Sequence, residues 1–184
     1  MIKKLKEETR DLHEQIEEQN LAKRIMDHSI DLSTYKLLLL QNFLAYRETE
    51  TEIKNHLPNY SAKKHLQLKQ DLEQLNVSTT IALQNATFKC HSPAEALGAA
   101  YVVEGSALGG LLLAKNLDKC SNLAQIDQHY FFNGDKDNLK DWNSFKKELE
   151  EYHFSETEET EAVEKAKATF RFFESIFNMK LPVS

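Results

Sequence analysis

Apolar residues recur at helical spacing over most of the chain. Between residue 2 and about residue 18 the apolar positions are Ile2, Leu5, Leu12 and Ile16, one helix face. Thr9, His13 and Glu17, each four apart, run beside them on the same side. A short helical segment follows through Leu21, Ala22, Ile25 and Met26. Asp31 or Ser33 can cap the next helix, which should begin near Thr34, be strongly apolar in its first half and end before Pro58. Residues 62–75 form another amphipathic helix, with Leu66, Leu68, Leu72 and Leu75 on its inward side.

The pattern lapses over residues 76–91, a β-branched mixture that reads as an irregular connection. Ser92 then offers an N-cap, with Pro93 in the first turn and Glu95 three residues on, a predicted capping box. The apolar stretch it opens runs from Ala94 to Lys115. After Asn116 comes a polar loop with a short helical piece, ending in a turn at Asn133-Gly134. Two helices close the chain, over 139–151 and about 156–179. The last carries Ala162, Ala166, Phe170, Phe173, Ile176 and Phe177 inward, and the acidic run Glu148–Glu161 reads as a solvated turn and helix start. No strand-like alternation, repeat or linker interrupts this series, so the expected architecture is an all-α helical bundle forming a single domain over residues 1–184.

Within that series the 94–115 stretch, AEALGAAYVVEGSALGGLLLAK, stands apart. It holds four of the five glycines in the chain: Gly98, Gly105, Gly109 and Gly110. Each glycine inside a helix costs about 1 kcal/mol relative to alanine. Gly98, Gly105 and Gly109 fall on one face and Gly110 widens the gap, leaving a bare strip of backbone. Two uses fit such a strip: tight contact with another helix, or close approach to a flat ligand.

Composition narrows the choice of partner. A net charge of −6 argues against nucleic acid or anionic lipid. Cys90 and Cys120 have no metal or redox spacing and suit a reducing compartment. The N-terminus is amphipathic and charged, unlike a signal peptide, and NMKLPVS at the end is no hydrophobic anchor. Glu95 and Glu104 interrupt the most apolar run, which argues against a membrane span. The expectation is a cytoplasmic, monomeric protein. No GxSxG, CxxC, HExxH or phosphate loop occurs, and none of the seven histidines forms an i, i+4 pair.

One histidine has a suggestive setting. His13 lies on the inward edge of the first helix, with Glu17 one turn on and Lys6 two turns earlier. A carboxylate at i+4 can accept the ring N–H and orient an imidazole that ligates a metal. The plainer alternative is an exposed charged stripe. A histidine on one helix and a glycine strip on another could sandwich a flat macrocycle, with lysines at its carboxylates.

In this light the sequence resembles the haem oxygenases, most closely the bacterial biliverdin-producing branch. LKEETRDLHEQIEE resembles the family's proximal helix, which implies His13 as haem iron ligand, Glu17 as its hydrogen-bonding partner and Lys6 near the propionates. SPAEALGAAYVVEGSALGGLLLAK resembles the kinked distal helix, with Gly105, Gly109 and Gly110 on the glycine motif. The Phe131–Phe145 and Ala166–Phe177 segments match the C-terminal part, where Phe170 corresponds to a haem-wall aromatic and Lys146 to a propionate-side lysine. Two positions depart from the pattern. Ser106 stands where mammalian members keep an aspartate that orders distal water, and Glu150 stands in place of an arginine.

The resemblance implies a fold with haem between the N-terminal proximal helix and the glycine-rich distal helix. It also implies an oxidoreductase that opens haem to biliverdin, carbon monoxide and ferrous iron. Haem would be substrate and cofactor, O2 the co-substrate, and a ferredoxin, flavodoxin or flavin reductase the electron donor. Gly98, roughly 10 Å before the others along the axis, would serve helix packing. Ser106 keeps open an alternative, a haem-binding sensor or carrier of the same fold that does not degrade its ligand. A thiaminase-like enzyme of this architecture would need a nucleophilic cysteine at a pocket, for which Cys90 and Cys120 are the candidates.

Overall fold

The computed structural model describes residues 1–83 and 87–183. Among these the regular structure is entirely helical. The order is α1 (Ile2–Gln19), α2 (Lys23–Met26), α3 (Leu32–His56), α4 (Lys64–Gln74), α5 (Pro93–Gly105), α6 (Ala107–Leu117), a 3-10 turn (Ser121–Leu123), α7 (Asp137–Glu151) and α8 (Glu156–Phe177). The described part of 76–91 is irregular, as its composition suggests; residues 84–86 lie outside the described residues.

Capping chemistry sets most of the boundaries. Asp31 caps α3 through Oδ1, which accepts from the Thr34 amide at 2.7 Å, so the helix begins two residues earlier than its pattern predicts. Ser92 caps α5 by accepting from the Glu95 amide at 3.2 Å. The reciprocal half of the predicted box is missing. Glu95 instead accepts from the His91 amide and pairs with Lys165 of α8 at 2.8 Å. A stronger partner has taken the carboxylate and used it to tie α5 to α8. The complete capping box lies at Ser155 and Glu158, where α8 begins.

The core is built around α3, α5 and α8. α5 packs on α8 most extensively and on α3 next, while α1 lies against α8. Leu38, Leu39, Leu40, Leu44, Leu97 and Ile176 are fully or almost fully buried there. Two side chains depart from their expected places. Leu66 is exposed on α4, because Leu68 and Leu72 fill the inward side, and Phe177 is only half-buried at the end of α8. Conversely, the charged second half of α3 does not leave the core: Thr49, Glu50 and Ile53 are fully buried.

The glycine stretch is not one helix. It breaks at Ser106 into α5 and α6. By length and composition Pro93–Leu117 could also cross a membrane, yet half of its most apolar window is buried within the protein and its axis is interrupted.

Candidate functional site

The break divides the stretch into two halves of similar composition and opposite surroundings. On α5, nine residues from Ala94 to Glu104 are buried. A Cβ on Gly98 would collide with the Ala162 carbonyl of α8, so this glycine exists to let two backbones touch. On α6 only Ala107 and Leu117 are buried. Leu108 and Leu112 are 60% and 52% exposed. A Cβ on Gly109 or Gly110 would meet nothing within 4 Å among the described residues, and one on Gly105 would approach only Trp142, at 3.9 Å. Packing therefore accounts for Gly98 and not for Gly109 and Gly110. Those two leave bare backbone beside exposed leucines, a surface shaped for a large flat apolar group.

The other expected wall is α1, which packs on α8. Thr9 is buried, but the row it begins moves outward, and the His13 side chain is 54% exposed. The ring is not isolated. It meets Phe170 of α8 edge-on, with centroids 5.9 Å apart. The structure thus joins two residues 157 positions apart in sequence that the pattern alone could only name separately. The expected hydrogen bond to Glu17 is not formed. Glu17 Oε1 lies 3.7 Å from His13 Nε2, beyond hydrogen-bond reach. Both side chains are more than half exposed, and a solvated i, i+4 pair contributes only about 0.3–0.5 kcal/mol, too little to hold one geometry.

The two expected basic contacts differ. Lys6 is exposed and has no carboxylate within 4 Å among the described residues, whereas neighbouring Lys3 and Lys4 pair with Glu7 and Glu159. Lys146 is half-buried with its ammonium over the Trp142 ring, 5.4 Å from the centroid, a cation–π contact. Either cation can meet an anionic edge.

Behind the break lies a polar cluster that the sequence pattern gives no hint of. Ser106 Oγ donates to the Val103 carbonyl at 2.7 Å, so its proton points back into α5 rather than outward. Tyr46 of α3 is buried near Ser106. Burial holds the Tyr46 phenol above its ordinary range, the Ser106 hydroxyl pulls the other way, and the carboxylates of Glu50 and Glu104 add to the rise. Tyr46 therefore stays protonated through the neutral range. Lys64 Nζ donates to the Val103 carbonyl at 2.7 Å and pairs with Glu104 Oε2 at 2.9 Å. Tyr60 donates to Glu104 Oε1 at 2.6 Å, and Glu50 accepts from the Lys64 and His65 amides and from the His65 ring. Among the described residues, no buried side-chain nitrogen or oxygen lacks a partner. A cavity of about 30 Å³ adjoins the cluster, lined in part by Lys64, Gln67, Ser106, Gly110, Phe131 and Asn138. Its walls are more apolar than polar, with Ala107 and Leu111 among them, and it has room for water, which needs roughly 10–15 Å³ per molecule.

The cysteines are poor nucleophiles. Burial pushes the Cys90 thiol up to about 12, and burial also raises Cys120. A thiolate at neutral pH is disfavoured at both.

Comparison with known proteins bears on the family and the fold. A family model described as "Heme oxygenase" matches residues 1–179. The fold is similar to that of the heme oxygenase of Neisseria meningitidis, solved with NO and CO bound. That match has a TM-score of 0.75 and 22% identity, and covers 95% of this chain and 88% of the other. It is also similar to heme oxygenase-1 of the cyanobacterium Synechocystis in complex with heme, with a TM-score of 0.73, 16% identity, and 96% and 90% coverage. At these identities the likeness is one of fold. No curated protein sequence matches the chain.

Proposed function

Because the chain belongs to the haem oxygenase family, we propose that it opens haem oxidatively to biliverdin, carbon monoxide and ferrous iron, using O2 and electrons from an external ferredoxin, flavodoxin or flavin reductase. The observation that carries this reading is the contrast along the glycine stretch. A Cβ on Gly109 or Gly110 would meet nothing within 4 Å among the described residues, and exposed Leu108 and Leu112 flank them. A flat apolar macrocycle with an anionic edge fits that surface, and the half-exposed imidazole of His13 fits as its metal ligand.

Haem, when bound, supplies both the iron that activates oxygen and the carbon bridge that is cut. The protein's part is placement. His13 holds the iron from α1, and Phe170 limits how its ring can turn. Glu17 is near enough to take the ring N–H once binding fixes the two side chains. Lys6 and Lys146 hold the propionates and so set the rotation of the macrocycle. Gly105, Gly109 and Gly110 would keep side chains out of the space beside the macrocycle where oxygen is taken up. Tyr46, kept protonated by burial, supplies a donor at the break, and Ser106 holds the backbone there.

Ser106 also defines the rival reading. Its hydroxyl proton is spent on Val103, so it does not replace a carboxylate that would order water on the ligand side. A carrier or sensor would tolerate that loss. One aerobic assay separates the two: haem-loaded protein with ascorbate or a reductase. Biliverdin absorbance and released carbon monoxide support the oxygenase, and a stable haem spectrum supports the carrier. In the same assay His13→Ala is expected to lose the normal axial-ligand spectrum and most turnover. Its haem-free stability should stay within about 0.5 kcal/mol, since the side chain is half in solvent. Unchanged haem spectra and turnover would sink the assignment of His13.

A further inference from the structure

The buried pair behind the break has no role in the reading above. Lys64 and Glu104 are both nearly excluded from solvent, at 7% and 10% side-chain exposure. A buried ion pair is weak grounds for stability, because desolvating two charges offsets most of their attraction. Something else accounts for this placement, and the partners of Lys64 show what. Its ammonium does not meet only the carboxylate. It also donates to the Val103 carbonyl, three residues before the break, which already accepts from Ser106 Oγ. A carbonyl has two lone pairs. Here two side-chain donors converge on them at the point where the helix changes direction. Side chains that intrude on the helical ladder are an established cause of sharp kinks, and serine bonding back to a preceding carbonyl bends helices. Glu104, the next residue, is gripped from both sides, by Lys64 and by Tyr60. Lys64 itself opens α4, and its amide is fastened to the fully buried Glu50 of α3. The break is thereby referenced to α3 and α4, the rigid side of the bundle.

We propose that Lys64 is a positioning residue for the glycine surface: it fixes where α5 stops and so where Gly109 and Gly110 lie. This rests on the haem reading for its purpose, though not for its structural content. Lys64 also lines the small cavity beside Ser106 and Gly110.

The test uses Lys64→Met/Glu104→Gln in the full chain. It removes both charges together, so no unpaired one is left buried, and the new amide oxygen can still accept from Tyr60. In the haem-free protein, amide hydrogen exchange over residues 106–112 should accelerate tenfold or more, while α8 amides stay within twofold of wild type. With haem bound, the visible spectrum should show an altered distal environment at an unchanged His13 ligation signature. Wild-type exchange at 106–112 overturns the proposal, as does equal acceleration of 106–112 and α8, which marks a general loss of packing. Should the double variant not fold, Lys64→Met alone removes the bond to Val103 and leaves Glu104 its Tyr60 donor. It should accelerate the same amides more than those of α8, and no change there also overturns the proposal. Failure of the wild-type chain to bind added haem removes the functional reading and leaves the exchange result standing.

Discussion

Gly98 and Gly110 sit in one apolar stretch twelve residues apart and answer opposite needs. At Gly98 a methyl group has nowhere to go, because the Ala162 backbone is already there. At Gly110 a methyl group would meet nothing within 4 Å among the described residues. The same residue type is a packing device on α5 and a cleared surface on α6. A glycine that packing requires informs on the fold. A glycine that costs helix stability and touches nothing points to a ligand.

The comparison breaks most readily at its packed end. Gly98→Leu forces side-chain atoms into the α8 backbone, which cannot yield as a side chain would. Loss of about 3 kcal/mol or more is expected, enough to leave much of the chain unfolded in a thermal melt. A cooperative melt near the wild-type temperature would show that α5 and α8 do not need that contact. At the open end, Gly109→Leu should leave the melt almost untouched and His13 ligation intact, while lowering turnover by on the order of 100-fold through blocked oxygen access. Wild-type oxygen affinity and turnover in that variant would count against the cleared-surface reading.

Asp71 sharpens the contrast, since it helps hold the loop beside α6. Its carboxylate accepts from the Tyr130 and Phe131 amides at 2.7 and 2.9 Å, and Phe131 lines the cavity at Gly110. Burial pushes Asp71 up to about 6 from its ordinary 3.8, against the pull of those two amides. The folded state therefore binds this proton more tightly than the unfolded chain does. The resulting stability is complete below about pH 4, is lost as pH rises to about 6, and then stays level. At ~1.4 kcal/mol per tenfold in proton affinity, the difference is roughly 3 kcal/mol. Relative to wild type, Asp71→Asn should gain several degrees in melting temperature between about pH 4 and pH 7; a constant offset would show that Asp71 does not titrate in that range. The smallest effect is also the simplest. Gly110→Ala should stabilise the haem-free chain by up to about 1 kcal/mol and weaken haem binding. Gain in both would mean the strip is bare for no reason of binding.

Much of the fold was legible because helices declare themselves locally. Ile2, Leu5, Leu12 and Ile16 mark α1, and Ser92-Pro93 marks the start of α5 within a residue. Gly98 could be set apart by its distance from the other glycines. The polar cluster was not legible, because its members read as surface. Glu50 lies in RETETEIK, the picture of a solvated helix end, yet it is fully buried. Lys64 follows Lys63 at a charged helix start, and its partner Glu104 is 40 residues away. Tyr46 and Ser106 are 60 apart. Only the crossing of α3, α4 and α5 brings them together. The break was not legible in the residues themselves, which read as one helix; a kink was implied only by the family resemblance, and hydrogen bonds from Lys64 and Tyr60 outside the stretch meet α5 where it stops.

The burial pattern of α6 has a mechanical side. Its two buried residues, Ala107 and Leu117, are its first and last. The helix is a beam clamped at both ends and only partly supported along its span, where Leu113 packs against the core and α2 and α7 make contact. Such a beam yields nearest its middle, where Leu111 and Leu112 lie next to the side-chain-free Gly109 and Gly110. Much of the restoring force there comes from the helix's own backbone hydrogen bonds, with Leu113 adding contact to the core. A load on the span is carried to the two clamps, so the frame of α3, α5 and α8 keeps its shape while the beam bends.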